Sequence, residues 1–148
     1  MKYFNLLIAA FVIIFAGACE DEAADAGAAS TYPISGEWYV HEYYGGGSPY
    51  GPYHLQIFNT AANNDSLWVS NIYDSGIKVR AIKNDGTTFS ITEGADIAEE
   101  VATVTISNGQ IIDNDSIYFD VILYDGDGEV IDEFYTAGRR WTGLEDEH

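Results

Sequence analysis

Between Gly36 and Ala137, apolar and aromatic side chains recur at every second position, and no other feature constrains the fold as tightly. Side chains of a strand point alternately to opposite faces, whereas a helix repeats its apolar face every three or four residues. Eight runs carry the alternation: 36–44 (GEWYVHEYY), 53–60 (YHLQIFNT), 66–73 (SLWVSNIY), 76–83 (GIKVRAIK), 87–92 (TTFSIT), 101–107 (VATVTIS), 115–124 (DSIYFDVILY) and 129–137 (EVIDEFYTA). They are rich in Val, Ile, Tyr and Thr, and Gly, Asn and Asp mark the breaks between them, as at Ala61–Asp65, Asp74–Gly76, Asn84–Gly86, Asn108–Gly109 and Asp125–Gly128. Only 93–100 (EGADIAEE) reads as a short helical turn.

About eight short strands linked in order by hairpins predict an all-β domain, either a single up-and-down barrel of antiparallel strands or a sandwich. In such a sheet Ile77, Val79 and Ala81 face inward and Lys78, Arg80 and Ile82 outward. Likewise Ile117, Phe119, Val121 and Leu123 oppose Tyr118, Asp120, Ile122 and Tyr124. Two features favour the barrel. Gly36-Glu37-Trp38 opens the first strand as G-x-W and Arg139-Arg140 closes the last, a pairing that resembles lipocalin-like barrels and implies that Trp38 plugs one end with an arginine stacked across it.

The start of the chain has a separate logic. Lys2 precedes an apolar stretch from Leu6 to Ala16, shorter than the roughly 20 apolar residues of a membrane span, and small residues lead to Cys19, the single cysteine. This is the pattern of a signal peptide over residues 1–18 and of cleavage before a cysteine that then receives lipid. Several acyl chains at about 0.8 kcal/mol per buried methylene would anchor the protein stably in a membrane. The alternative is an ordinary secreted protein with a spare thiol. Residues 19–31, with the acidic and alanine-rich EDEAADAGAAST, read as a flexible linker, and 32–148 as one domain with one core.

Charge excludes some partners. The full chain carries −18, and loss of residues 1–18 leaves 24 acidic residues against Lys78, Arg80, Lys83, Arg139 and Arg140. Nucleic acid, which requires Lys and Arg at its phosphates, is excluded, as is docking on anionic headgroups. A cationic or neutral partner is favoured. The acids Glu20–Glu22 after the cysteine fit either a surface-export signal or a solvated linker, so the expected location is the bacterial outer membrane, facing the periplasm or the exterior.

The run Phe58-Asn59-Thr60-Ala61-Ala62-Asn63 followed by Leu67-Trp68-Val69, with the ending Ala137-Gly138-Arg139-Arg140-Trp141-Thr142-Gly143-Leu144-Glu145-Asp146-Glu147, resembles the bacterial lipoprotein family of lipid-binding putative hydrolases. Trp141, placed between the arginine pair and Thr142-Gly143, departs from that pattern. The resemblance implies a lipocalin-like barrel on a lipid tether.

The residues themselves carry little hydrolytic chemistry. A serine hydrolase needs a nucleophile, a base within reach and an orienting acid, and the chain has no G-x-S-x-G elbow. Its histidines are His41, His54 and His148; His41 reads as a solvated strand residue, and His54, near Tyr50, Tyr53 and the Gly45–Gly47 loop, is the one candidate base. No metal or cofactor is expected. Asp125, Asp127 and Glu129 alternate like the start of a calcium loop, but Val130 stands where such a loop has glycine and Thr136 where it has glutamate, and Asp-Gly pairs also serve tight hairpins. Weak calcium binding at Asp113–Asp115 or Asp125–Glu129 stays open.

The connection from Tyr43 to Tyr53 (YYGGGSPYGPY) holds four tyrosines. It is expected to lie over an open barrel end, as a ligand lid or a plain connection. The expected function is binding of a small apolar or amphipathic, lipid-like ligand in a calyx. Its contacts would be Tyr44, Tyr50, Tyr53, His54, Ile57, Val69, Val79, Phe119, Val121 and Phe134, with Val40 also facing in. Two alternatives remain: a lipid or ester hydrolase using His54, and a surface module presenting Trp68, Tyr39 and Tyr43 to a glycan or protein.

Overall fold

The computed structural model describes residues 30–62 and 64–143. Cys19, the leader, most of the linker, Asn63, His148 and the rest of the chain after Gly143 lie outside the described residues. The strands are β1 (Gly36–Tyr43), β2 (Tyr50–Asn59), β3 (Ser66–Ile72), β4 (Ile77–Lys83), β5 (Thr88–Ala95), β6 (Thr103–Ile112), β7 (Ser116–Tyr124) and β8 (Val130–Arg140). Each pairs antiparallel with the next and β8 pairs back onto β1, which closes an up-and-down barrel with no free sheet edge.

The alternation places the side chains as the sequence predicts. Ile77, Val79 and Ala81 are buried on β4, and Ile117, Phe119, Val121 and Leu123 on β7, all within one hydrophobic cluster. An eight-stranded barrel is just wide enough for side chains to fill it. Gly138 brings the seam together: a Cβ there would collide with the Tyr39 carbonyl and the backbone of Val40 across β1.

Several element boundaries differ from the expectation, and β6 runs through the expected break at Asn108–Gly109 to Ile112, with a register shift between Ser107 and Gln110. β2 starts at Tyr50, so the tyrosine-rich connection is short, with only residues 44–49 outside strands. β8 runs on to Arg140, which puts both arginines in a strand. Residues 93–100 contain no helical turn: β5 extends to Ala95, and the chain then wraps around buried Asp96. Its Oδ1 accepts from the N–H groups of Lys78 (2.8 Å) and Ala98 (3.0 Å), and Oδ2 from those of Glu100 (2.9 Å) and Val101 (3.3 Å). A carboxylate that satisfies four donors substitutes for the helix that acid-rich EGADIAEE suggested. Asp96→Ala is expected to cost about 1–3 kcal/mol and to speed amide exchange at 98–101, as read by hydrogen–deuterium exchange.

The barrel has two unlike ends. At one, Trp38 is fully buried, its Nε1–H donates to the Ile34 carbonyl (3.1 Å), and the Arg140 guanidinium lies 4.2 Å above its ring. Arg140 also donates to the carbonyls of Pro33, Ser35 and Asn114, which ties residues 33–35 across this closed end. Arg139, one residue earlier, faces outward by the same alternation and takes no part in the stack. The other end is ringed by the connections 44–49, 73–76, 96–102 and 125–129.

Candidate functional site at the open end of the barrel

Trp38, Val40 and Glu42 share the inward face of β1, so the alternation that buries the plug also buries a carboxyl group. Glu42 is 0 % exposed. The Tyr53 hydroxyl donates to its Oε1 (2.5 Å) and the Tyr44 hydroxyl to its Oε2 (2.9 Å). The Tyr53 oxygen in turn accepts from the Tyr73 backbone N–H (3.3 Å). Thr136, opposite Glu42 on β8, is also 0 % exposed, and its hydroxyl lies beside that of Tyr53.

Burial raises the Glu42 carboxyl above the usual range, the bonds from Tyr53, Tyr44 and the Tyr73 backbone oppose that shift, and the charge of Asp132 adds to it. Burial and then the bond to Glu42 push both phenols far above their ordinary value, so Tyr44 and Tyr53 remain protonated donors. A carboxyl raised in the folded state contributes stability below its unfolded value, and that contribution is lost as pH rises through the folded value. Glu42→Gln is therefore expected to gain stability relative to the unchanged protein as pH climbs from 4 to 8. Urea unfolding across that window checks it.

Tyr44 also lines a hollow of about 310 Å³, together with Tyr50 and Tyr73. Tyr50 is 52 % exposed and forms the rim, its ring 6.4 Å from that of Tyr53. Tyr73 sits at φ 63°, a left-handed conformation that costs a non-glycine residue roughly 1–2 kcal/mol. That backbone directs its ring to 5.8 Å from Phe134, whose ring lies 5.4 Å from Tyr44.

The other sequence candidates fall elsewhere. Ile57, Val69, Val79, Phe119 and Val121 are 0–2 % exposed in the packed core, so they fill the barrel instead of lining an open calyx. Phe134 is the member of that set which reaches the open end.

His54 is not at the mouth. Tyr53 points in, so its neighbour points out, and the His54 ring packs on the outer wall against Trp141 (4.5 Å) and Tyr39 (5.3 Å). No serine hydroxyl or carboxylate among the described residues hydrogen-bonds that imidazole. Trp141, the departure from the family pattern, thus covers the outer face of β1 and β2. The remaining outer aromatics are also engaged: Tyr43 stacks on Tyr135 at 4.7 Å, and Trp68 lies under the Lys78 ammonium at 5.2 Å.

Asp125 satisfies its own hairpin, its Oδ1 accepting from the N–H groups of Asp127 and Glu129. No group of three acidic, histidine or cysteine side chains suited to a metal occurs among the described residues.

Glu42, Tyr73, Asp132 and Thr136 are the site residues that sequence reasoning missed. Glu42 had a signal, its parity with Trp38 and Val40; Tyr73 had none, because left-handed geometry at a tyrosine has no sequence mark.

The described residues form a closed up-and-down antiparallel β-barrel with a filled interior and an aromatic hollow at its open end. Residues 23–145 match the family described as lipid-binding putative hydrolase, and the chain belongs to it. Among curated proteins, none matches the chain.

Proposed function

We propose that this is a membrane-tethered binding protein for a lipid-like amphiphile, which it holds at the open end of the barrel. The observation that carries this reading is the hollow of about 310 Å³ between Tyr44, Tyr50 and Tyr73, next to the buried Glu42 to which Tyr44 donates. Its size is at the lower bound for small-molecule pockets. It suits a head group and the first part of a chain, with tyrosine faces for the apolar part and hydroxyls for the polar part.

The rest of the barrel serves as a rigid mount, because its interior is occupied by its own side chains. Cys19 is the proposed lipid-bearing anchor after cleavage of residues 1–18, in a bacterial outer membrane, and the segment from Glu20 up to Ser30 and Thr31, which pack on the barrel, is the proposed spacer. The family description and the charge balance support a lipid partner over a nucleic acid. Ester hydrolysis through His54 has less support, since its ring is enclosed by Tyr39 and Trp141.

Native mass spectrometry with lipid extraction tests the proposal on the chain from Glu20 onward, which contains every strand. A co-purifying amphiphile is expected. Tyr73→Gly should reduce its capture by about tenfold or more while stability shifts by less than about 1 kcal/mol, because lost backbone strain and added chain entropy offset each other. His54→Ala should leave capture unchanged. A clean mass without lipid, before and after incubation with a lipid extract, would overturn the reading.

A further inference from the structure

We propose that the open end selects amphiphiles whose head is a positively charged amine and rejects fatty-acid anions. This rests on the ligand reading above and adds the chemical class of the head group. The first observation is an unbalanced buried acid. Glu42 is fully buried, and its hydrogen bonds come from the Tyr44 and Tyr53 hydroxyls and the Tyr73 backbone, none of which neutralises its charge. Asp132, inward-facing on β8, is close enough that the two carboxylates repel each other.

None of the five described cations forms an ion pair with either group. Arg140 is committed to the closed end, and Lys83 donates to the Ser30 carbonyl. Lys78 lies on the outer wall over Phe58 and Trp68, while Arg80 and Arg139 face outward. A buried carboxylate without a cation is stabilised by any positive charge brought near it.

The second observation is geometric. The Tyr44 ring lines the hollow while its hydroxyl donates to Glu42, so one side chain joins that space to the buried acid. The walls suit the same head: Tyr44, Tyr50 and Tyr73 present three aromatic rings to a space of about 310 Å³, and cations bind over such faces within about 6 Å.

The rim extends the pattern. The four connections at this end contain Asp74, Asp96, Glu99, Glu100, Asp125, Asp127 and Glu129 and no Lys or Arg. Their summed field draws cations toward the mouth and slows the approach of anions. A carboxylate or phosphate head would meet like charge at the rim and again at the buried acid.

The test compares three single-chain amphiphiles of equal tail length below their micelle concentrations: dodecylammonium, dodecyl maltoside and laurate. Affinities are measured by isothermal titration on the chain from Glu20 onward. The ammonium should bind at least about tenfold more tightly than the neutral maltoside, and laurate most weakly. Asp132→Asn, which leaves the Glu42 hydrogen bonds in place, should cut the ratio of ammonium to maltoside affinity severalfold.

Equal binding of all three would overturn the cation inference and leave the carrier reading standing, whereas absence of binding by all three would overturn both. Ammonium binding that survives Tyr73→Gly undiminished would be adsorption to the acidic surface, and would also overturn the inference.

Discussion

Trp38→Ala is expected to lower the unfolding free energy by about 3–5 kcal/mol, the range for removing a large aromatic from a packed core. A domain of this size has roughly 5–15 kcal/mol in all, so the change removes a large share of its stability. The melting temperature should fall by about 15–25 °C. The cost is high because Trp38 acts in two ways. It is fully buried at the closed end, and its indole N–H holds the Ile34 carbonyl, so truncation leaves both a cavity and an unsatisfied buried acceptor. Thermal unfolding followed by near-ultraviolet circular dichroism reads the result directly.

Arg140→Ala is the second large effect, expected at about 2–4 kcal/mol. Hydrogen bonds from a charged donor contribute about 1.5–3 kcal/mol each, and they do not add fully when they share one side chain. Arg140 makes three to backbone carbonyls, at 2.6, 3.0 and 3.1 Å, and stacks over Trp38. Arg140→Lys should recover less than half of the loss, because an ammonium cannot reproduce the planar fork that reaches Pro33, Ser35 and Asn114 while lying flat on the indole. A double-mutant cycle between Trp38→Phe and Arg140→Ala should return a coupling of about 0.5–2 kcal/mol. Additive losses would mean that the stack contributes nothing beyond packing.

These two effects concern the end of the barrel that the sequence described best. The alternation on β4 and β7 fixed which side chains turn inward, and Gly36-Glu37-Trp38 with Arg140 identified the plug. Period-two patterning survives because closure of the sheet buries one face of every strand. Where the chain leaves regular pairing, the reading failed for identifiable reasons. EGADIAEE looked helical from its acids and alanines, but those acids sit around Asp96, whose carboxylate holds the loop by four backbone donors. His54 was placed at the mouth by its neighbours in sequence, yet adjacent strand residues occupy opposite faces, so an inward Tyr53 requires an outward His54.

The calyx expectation erred through volume. Inward residues such as Phe119, Val121 and Ile57 are large, and eight strands enclose only enough space for them to meet each other. What remains for a ligand is the mouth, and the buried acid next to it was hidden by the habit of assigning glutamate to solvent. Glu42 is stabilised there by Tyr44 and Tyr53.

The central claim is that ligand binding is confined to the open end. The most direct measurement is a two-dimensional amide NMR titration of the chain from Glu20 onward with the amphiphile that binds it. Shifts are expected at 42–50, at 72–74 and at 132–136, while amides around Trp38 and Arg140 stay fixed. Shifts centred on the closed end or on the outer wall at His54 and Trp141, with 42–50 and 72–74 unmoved, would contradict the account.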